Sequence, residues 1–157
     1  MKKLYILFVL LFSIAELKPQ TSQLNQVELM KQFLGSWNCD ISRNTSYRYE
    51  ITPFGDGMLS TVEVVVDGNV IDSIKQIYGY NAKTDKFILS ERLKSTSEVE
   101  ISNAWFTSEK SGTIITNEPV YSVSRIDFEF QSPDIIKQAA GLDNNYTLDM
   151  TLYRIKK

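Results

Sequence analysis

Gln32-Phe33-Leu34-Gly35-Ser36-Trp37-Asn38-Cys39-Asp40 is where the rhythm of the chain changes. Upstream, Leu24, Val27, Met30 and Leu34 recur at helical spacing, with Leu29 and Phe33 widening the apolar stripe. Thr21 and Ser22 stand where a cap is needed. The spacing predicts a helix from about Gln23 to Leu34, ended by Gly35. A helix this short is marginal alone, so its stripe must lie against another element. Downstream the period becomes two. Trp37, Cys39 and Ile41 alternate with Asn38, Asp40 and Ser42, and Tyr47, Tyr49 and Ile51 alternate with Arg48, Glu50 and Thr52.

The alternation continues almost to the end. Met58 to Val66 closes on Asp67-Gly68-Asn69, a tight hairpin signal. Lys86 to Leu93 places Phe87, Leu89 and Glu91 in phase. Glu98 to Phe106 is read with Val99, Ile101, Asn103 and Trp105 inward and Glu98, Glu100 and Ser102 outward. Val120 to Gln131 sets Ile126, Phe128 and Phe130 against Arg125, Asp127 and Glu129, with Ser122 and Ser124 interrupting the apolar face. Ser132-Pro133-Asp134 then reads as the capped start of a short helix running to Gly141. The last strand, Tyr146 to Ile155, carries Leu148, Met150, Leu152 and Arg154 on one face. Short turns between roughly nine to ten strands leave little room for crossovers, which predicts an all-β antiparallel meander, closed as an up-and-down β-barrel or folded as a sandwich.

The first residues belong to a different pattern. Met1-Lys2-Lys3 precedes an apolar run from Leu4 to Ala15 that ends in Ser13-Ile14-Ala15. This predicts a secretory signal peptide within residues 1–20, cleaved between Ala15 and Gln20, and a domain of residues 21–157 that is periplasmic or secreted, without a stable membrane span. The 157 residues hold 17 Lys and Arg against 19 Asp and Glu. Loss of Lys2, Lys3, Glu16 and Lys18 with the leader takes these to 14 and 18, a net charge of −4. A mildly acidic domain is a poor nucleic-acid partner. The single cysteine, Cys39, forms no internal disulfide and reads as a small buried hydrophobe.

Phe33-Leu34-Gly35-Ser36-Trp37 after a short helix resembles the Gly-x-Trp motif that opens the calycin barrels: the lipocalins, the fatty-acid-binding proteins and their bacterial relatives. Tyr78-Gly79-Tyr80-Asn81 followed by Lys83-Thr84-Asp85-Lys86-Phe87 is similar to a hairpin of uncharacterised secreted bacterial lipocalin-like domains. The resemblance implies a structural role for Gly35 and Trp37, and an Arg from the last strand, here Arg154, packed over the Trp. Two departures matter. Nitrobindin-like barrels hold haem through a His, and this chain has none. The Arg-x-Tyr pair of fatty-acid-binding proteins is also missing, because Tyr153 and Arg154 are adjacent and point to opposite faces.

The absence of His removes Ser-His-Asp and Cys-His catalysis and most zinc sites. No phosphate loop or dinucleotide fingerprint is present. The expectation is therefore a binding module without cofactor or metal, whose cavity is lined by Tyr47, Tyr49, Glu91, Asn103 and Trp105. Two alternatives remain. One is an isomerase- or cyclase-type enzyme that uses Glu91 as acid or base. The other is an interaction scaffold whose barrel is filled by side chains.

Overall fold

The computed structural model describes residues 24–119, 123–142 and 147–156. The signal peptide expected at 1–20 lies outside them, as do Thr21, Ser22, Val120, Ser122 and Tyr146. Ten strands follow a short helix: β1 (Gly35–Asp40), β2 (Thr45–Phe54), β3 (Gly57–Val66), β4 (Asn69–Asn81), β5 (Lys86–Leu93), β6 (Glu100–Phe106), β7 (Ser111–Thr116), β8 (Val123–Ser132), β9 (Ile135–Leu142) and β10 (Thr147–Arg154). Each pairs antiparallel with the next, and β10 returns to β1, so the sheet closes into a barrel. The fold is consistent with a calycin-like barrel. Closure is registered by Trp37 opposite Arg154 and Cys39 opposite Leu152. A closed barrel has no free edge, and the alternation read from the sequence leaves one face buried and the other wet.

The helix (α1, Gln26–Met30) is shorter than its spacing predicts. Its cap is Asn25, whose side chain accepts the Glu28 N–H at 3.2 Å, and a 3-10 turn from Lys31 to Phe33 follows. The stripe does lie against the barrel. Met30 is buried, and Phe33 meets Phe128 at 5.1 Å and Phe130 at 4.9 Å between ring centres, both edge-on. Gln26 fixes the height of the helix. Its side-chain amide donates to Phe106 O at 3.0 Å and accepts from Phe106 N at 2.7 Å. Together with Trp37, Phe106 and Ile136 these residues fill the helix end of the barrel with a solid aromatic core. Each fully buried side chain of this size contributes about 1.5–3 kcal/mol.

The short helix expected from Ser132 to Gly141 is replaced by a turn and strand β9. Ser132 Oγ accepts from Asp134 N at 3.2 Å, which closes a tight turn at Pro133-Asp134 rather than capping a helix. Ile136 and Ala140 then point inward and Lys137 outward. The Ala-Ala pair favours helix locally. A helix here would strip β8 and β10 of their shared partner and open the barrel, so the ladder prevails.

Arg154 joins the helix end to the last strand. Its Cζ sits 4.0 Å from the centre of the Trp37 ring. Its three guanidinium nitrogens donate to Pro133 O at 2.9 Å, Leu34 O at 2.5 Å and Gln32 O at 3.0 Å, and Nε also faces Asp134 at 3.3 Å. The Trp37 indole N–H donates to Phe33 O at 2.7 Å. Gly35 is required by this arrangement. Its φ is +118°, and a Cβ there would come 2.7 Å from Arg154 Nη1.

Candidate functional site

Away from the helix the barrel is not filled. A cavity of about 460 Å³ occupies the half of the interior nearest the β3–β4 hairpin. Only a gap of about 40 Å³, walled by Met30, Tyr49, Met58, Tyr78 and Leu152 among others, separates it from the aromatic plug. The cavity reaches the surface at Ile71, which is 63% exposed, and at Leu148. Side chains fill the helix end of the barrel and leave this cavity toward the other end.

Tyr47 and Tyr49 from β2, and Glu91 from β5, line the cavity. Asn103 and Trp105 do not. They lie on the outer face of β6, and Lys86 Nζ sits 3.7 Å over the Trp105 ring on that side. The inward residues of β6 are Glu100, Ser102, Ala104 and Phe106, all buried. The phase is set by pairing. Directly opposed residues of an antiparallel pair share a face, and β5 places Phe87 opposite Ala104, Leu89 opposite Ser102 and Glu91 opposite Glu100. Phe106 is also needed inside to meet Phe33 and Phe128. The larger apolar set, Val99, Ile101 and Trp105, is left outside, with Val99 and Ile101 exposed.

This reversal brings in a residue that periodicity missed. Glu100, 5% exposed, faces the cavity beside Glu91. Gln76 Nε2 donates to Glu91 at 2.8 Å, and the Tyr78 hydroxyl donates to Gln76 Oε1 at 3.3 Å. Ser102 and Thr116 share a hydroxyl hydrogen bond of 2.6 Å on the adjoining wall. Burial pushes the Glu91 carboxyl above its ordinary value; the Gln76 hydrogen bond opposes this, and the negative charge of Glu100 adds to it. Burial likewise pushes the Tyr49 and Tyr78 hydroxyls up, so both stay neutral and polar at physiological pH. The Cys39 thiol is raised by burial too, which leaves it a packing residue.

A second phase shift occurs on β8. The register slips between Val123 and Arg125, so Val123 lines the cavity ahead of Ile126, in place of the expected Ser124. The lining is otherwise apolar, from Val62, Leu89, Ile114 and Met150 among others, with Gln138 as a further amide. Its charged members are Asp72, Glu91 and Glu100; among the described residues no Lys or Arg lines it. No group of three or more Cys, Asp and Glu that could hold a metal ion occurs among the described residues. No described helix is long and apolar enough to cross a membrane. No protein-family model matches the chain, and no curated protein matches it at a significant level.

Proposed function

We propose that this protein is an exported, lipocalin-like carrier that holds one small apolar or amphipathic molecule inside its barrel. The observation that carries this reading is the cavity of about 460 Å³, walled by aliphatic and tyrosine side chains with a few convergent polar groups. That size and lining suit a small-molecule site. The outer surface supports a soluble carrier, since Arg48 and Glu50 on β2, Lys75 on β4 and Arg125, Asp127 and Glu129 on β8 all face outward. A membrane barrel has the reverse arrangement, polar inside and apolar outside. Export draws on the leader-like pattern of Met1 to Ala15.

The test is occupancy of the cavity by the neutral fluorescent probe N-phenyl-1-naphthylamine. The purified protein should bind it at micromolar concentration. Ala140→Phe, which projects a ring from β9 into the same space, should weaken binding by about tenfold or more, the cost of a blocked pocket. Unchanged binding by that variant would place the probe elsewhere and remove the basis of the carrier reading.

A second reading, acid–base chemistry of the isomerase or cyclase type, is favoured by the Glu91–Glu100 pairing. A carboxyl whose proton affinity is raised by burial is suited to such a role. Turnover that Glu91→Gln abolishes while probe binding persists would select it over carriage.

A further inference from the structure

We infer that the molecule held in the barrel is uncharged and carries a carbonyl oxygen, which meets the Tyr49 hydroxyl and the Gln138 amide at the inner end of the cavity while its apolar body runs toward the opening at Ile71 and Leu148. This rests on the carrier reading and specifies the class of ligand. The walls call for no countercharge. Glu91 accepts from Gln76 at 2.8 Å, Asp72 accepts from Ser73 N at 2.7 Å with Ser95 and Lys94 beside it, and Glu100 has a partner of its own. An ammonium group entering here gives up its hydration without finding a carboxylate in need of it. A fatty acid or other anion fares no better, since among the described residues no Lys or Arg lines the space.

Two neutral polar groups stand differently. Tyr49 from β2 and Gln138 from β9 line both the cavity and the small gap between it and the aromatic plug, so they mark its inner end. Among the described residues neither side chain has a hydrogen-bond partner. Neither is sealed in the wall: the sealed, unpartnered polar atoms there are Ser60 Oγ and Thr113 Oγ1, so the Tyr49 hydroxyl and the Gln138 amide open onto free space. Burial keeps the Tyr49 phenol protonated and therefore a donor, and the Gln138 amide nitrogen is a second donor. The side chains of Met30, Ile51, Met58 and Leu152 around them offer nothing to bond. Water serves both groups until an apolar molecule displaces it. A pure hydrocarbon would then leave two buried donors unsatisfied. A carbonyl oxygen has two lone pairs and no proton of its own to place, so it takes a bond from each donor, whereas an alcohol would bring a further hydrogen in need of an acceptor. A volume of about 460 Å³ holds about 15–20 non-hydrogen atoms at the packing density of an interior, which fits one ketone or ester of modest size.

The experiment measures displacement of N-phenyl-1-naphthylamine by four probes of similar length: hexanophenone, hexylbenzene, 4-pentylbenzoate and 4-pentylbenzylamine. The first two differ only in a carbonyl or a methylene beside the ring. Tyr49→Phe, which removes one hydroxyl, should weaken hexanophenone binding about tenfold, and Gln138→Leu by a similar factor, the loss of one hydrogen bond each. Both variants should hold hexylbenzene within about twofold of the wild-type protein or more tightly, which also shows that they are folded. In the wild-type protein the benzoate and the benzylamine should each bind about tenfold more weakly than hexanophenone, or weaker still, because a charge must be desolvated without a waiting partner. Hexanophenone held equally by the wild-type protein and both variants, or either ionic probe binding as tightly as the ketone, overturns the inference and leaves the carrier reading intact. If N-phenyl-1-naphthylamine does not bind and calorimetry finds none of the four probes bound, both fall.

Discussion

Replacing Arg154 tests whether the guanidinium locks the barrel or merely decorates its end. The side chain donates to two carbonyls of the segment leading into β1, Gln32 and Leu34, and to Pro133 in the β8–β9 turn. It also covers the fully buried Trp37 ring at 4.0 Å. A hydrogen bond from a charged group contributes about 1.5–3 kcal/mol, and a cation–π contact of this kind about 0.5–2 kcal/mol. These do not add, since the bonds share one group and the outermost is partly replaced by water. Arg154→Ala should therefore lower unfolding free energy by about 3–4 kcal/mol, and Arg154→Lys, which keeps the charge and loses the fork, by about half as much. Equilibrium urea unfolding followed by tryptophan fluorescence measures both. A double-mutant cycle of Arg154→Met with Trp37→Phe should show a coupling of about 1 kcal/mol. A loss of less than about 0.5 kcal/mol for Arg154→Ala, the range of an ordinary surface substitution, would refute the lock.

Four further outcomes follow from the same geometry. Gly35→Ala should cost about 1–3 kcal/mol, because it forces an L-residue to φ +118° against a pinned guanidinium, and the cost should shrink in the Arg154→Ala background; equal costs in both would show the two sites to be independent. Gln26→Ala should cost about 2 kcal/mol by leaving the buried Phe106 main chain without its partners, and hydrogen exchange at the Phe106 amide should accelerate; an unaltered exchange rate would contradict that. Glu91 has its folded-state proton affinity raised by burial, so it is tolerated best when protonated. Its contribution is intact below the ordinary value of 4.5 and is lost as pH rises through the raised folded value. Glu91→Gln should accordingly flatten the fall in melting temperature on going from pH 4.5 upward, and an unchanged slope would assign that fall to other groups. Trp105→Ala should leave N-phenyl-1-naphthylamine affinity within about twofold, since the ring is outside the barrel; a large loss would restore the opposite phase for β6.

The site was legible in part. On β2, β5 and β10 the inward set is strongly apolar or aromatic, and Tyr47, Tyr49, Glu91 and Met150 follow their strands into the cavity. On β6 both faces carry apolar residues. Val99, Ile101 and Trp105 outweigh Ala104 and Phe106 when counted along the strand alone, so periodicity puts Asn103 and Trp105 inward and Glu100 outward. One signal pointed the other way. Phe106 stands next to Trp105, and only one of them can join the plug beneath Phe33.

Local spacing was also insufficient from Ser132 to Gly141, where a good cap, a proline and two alanines favour a helix but the neighbouring strands need a partner. What the amino-acid sequence determined by itself was the all-β class, the helix before β1, the Asp67-Gly68 turn, with φ of +49° and +79°, and the absence of His chemistry, because periodicity, turn stereochemistry and composition are local properties. The tertiary structure alone decided the register with which the barrel closes, that Glu100 stands beside Glu91, and that a cavity lies at one end of the interior and a packed core at the other. Those depend on cross-strand register and on how side-chain volumes sum across ten strands, and neither is written in any single stretch of the chain.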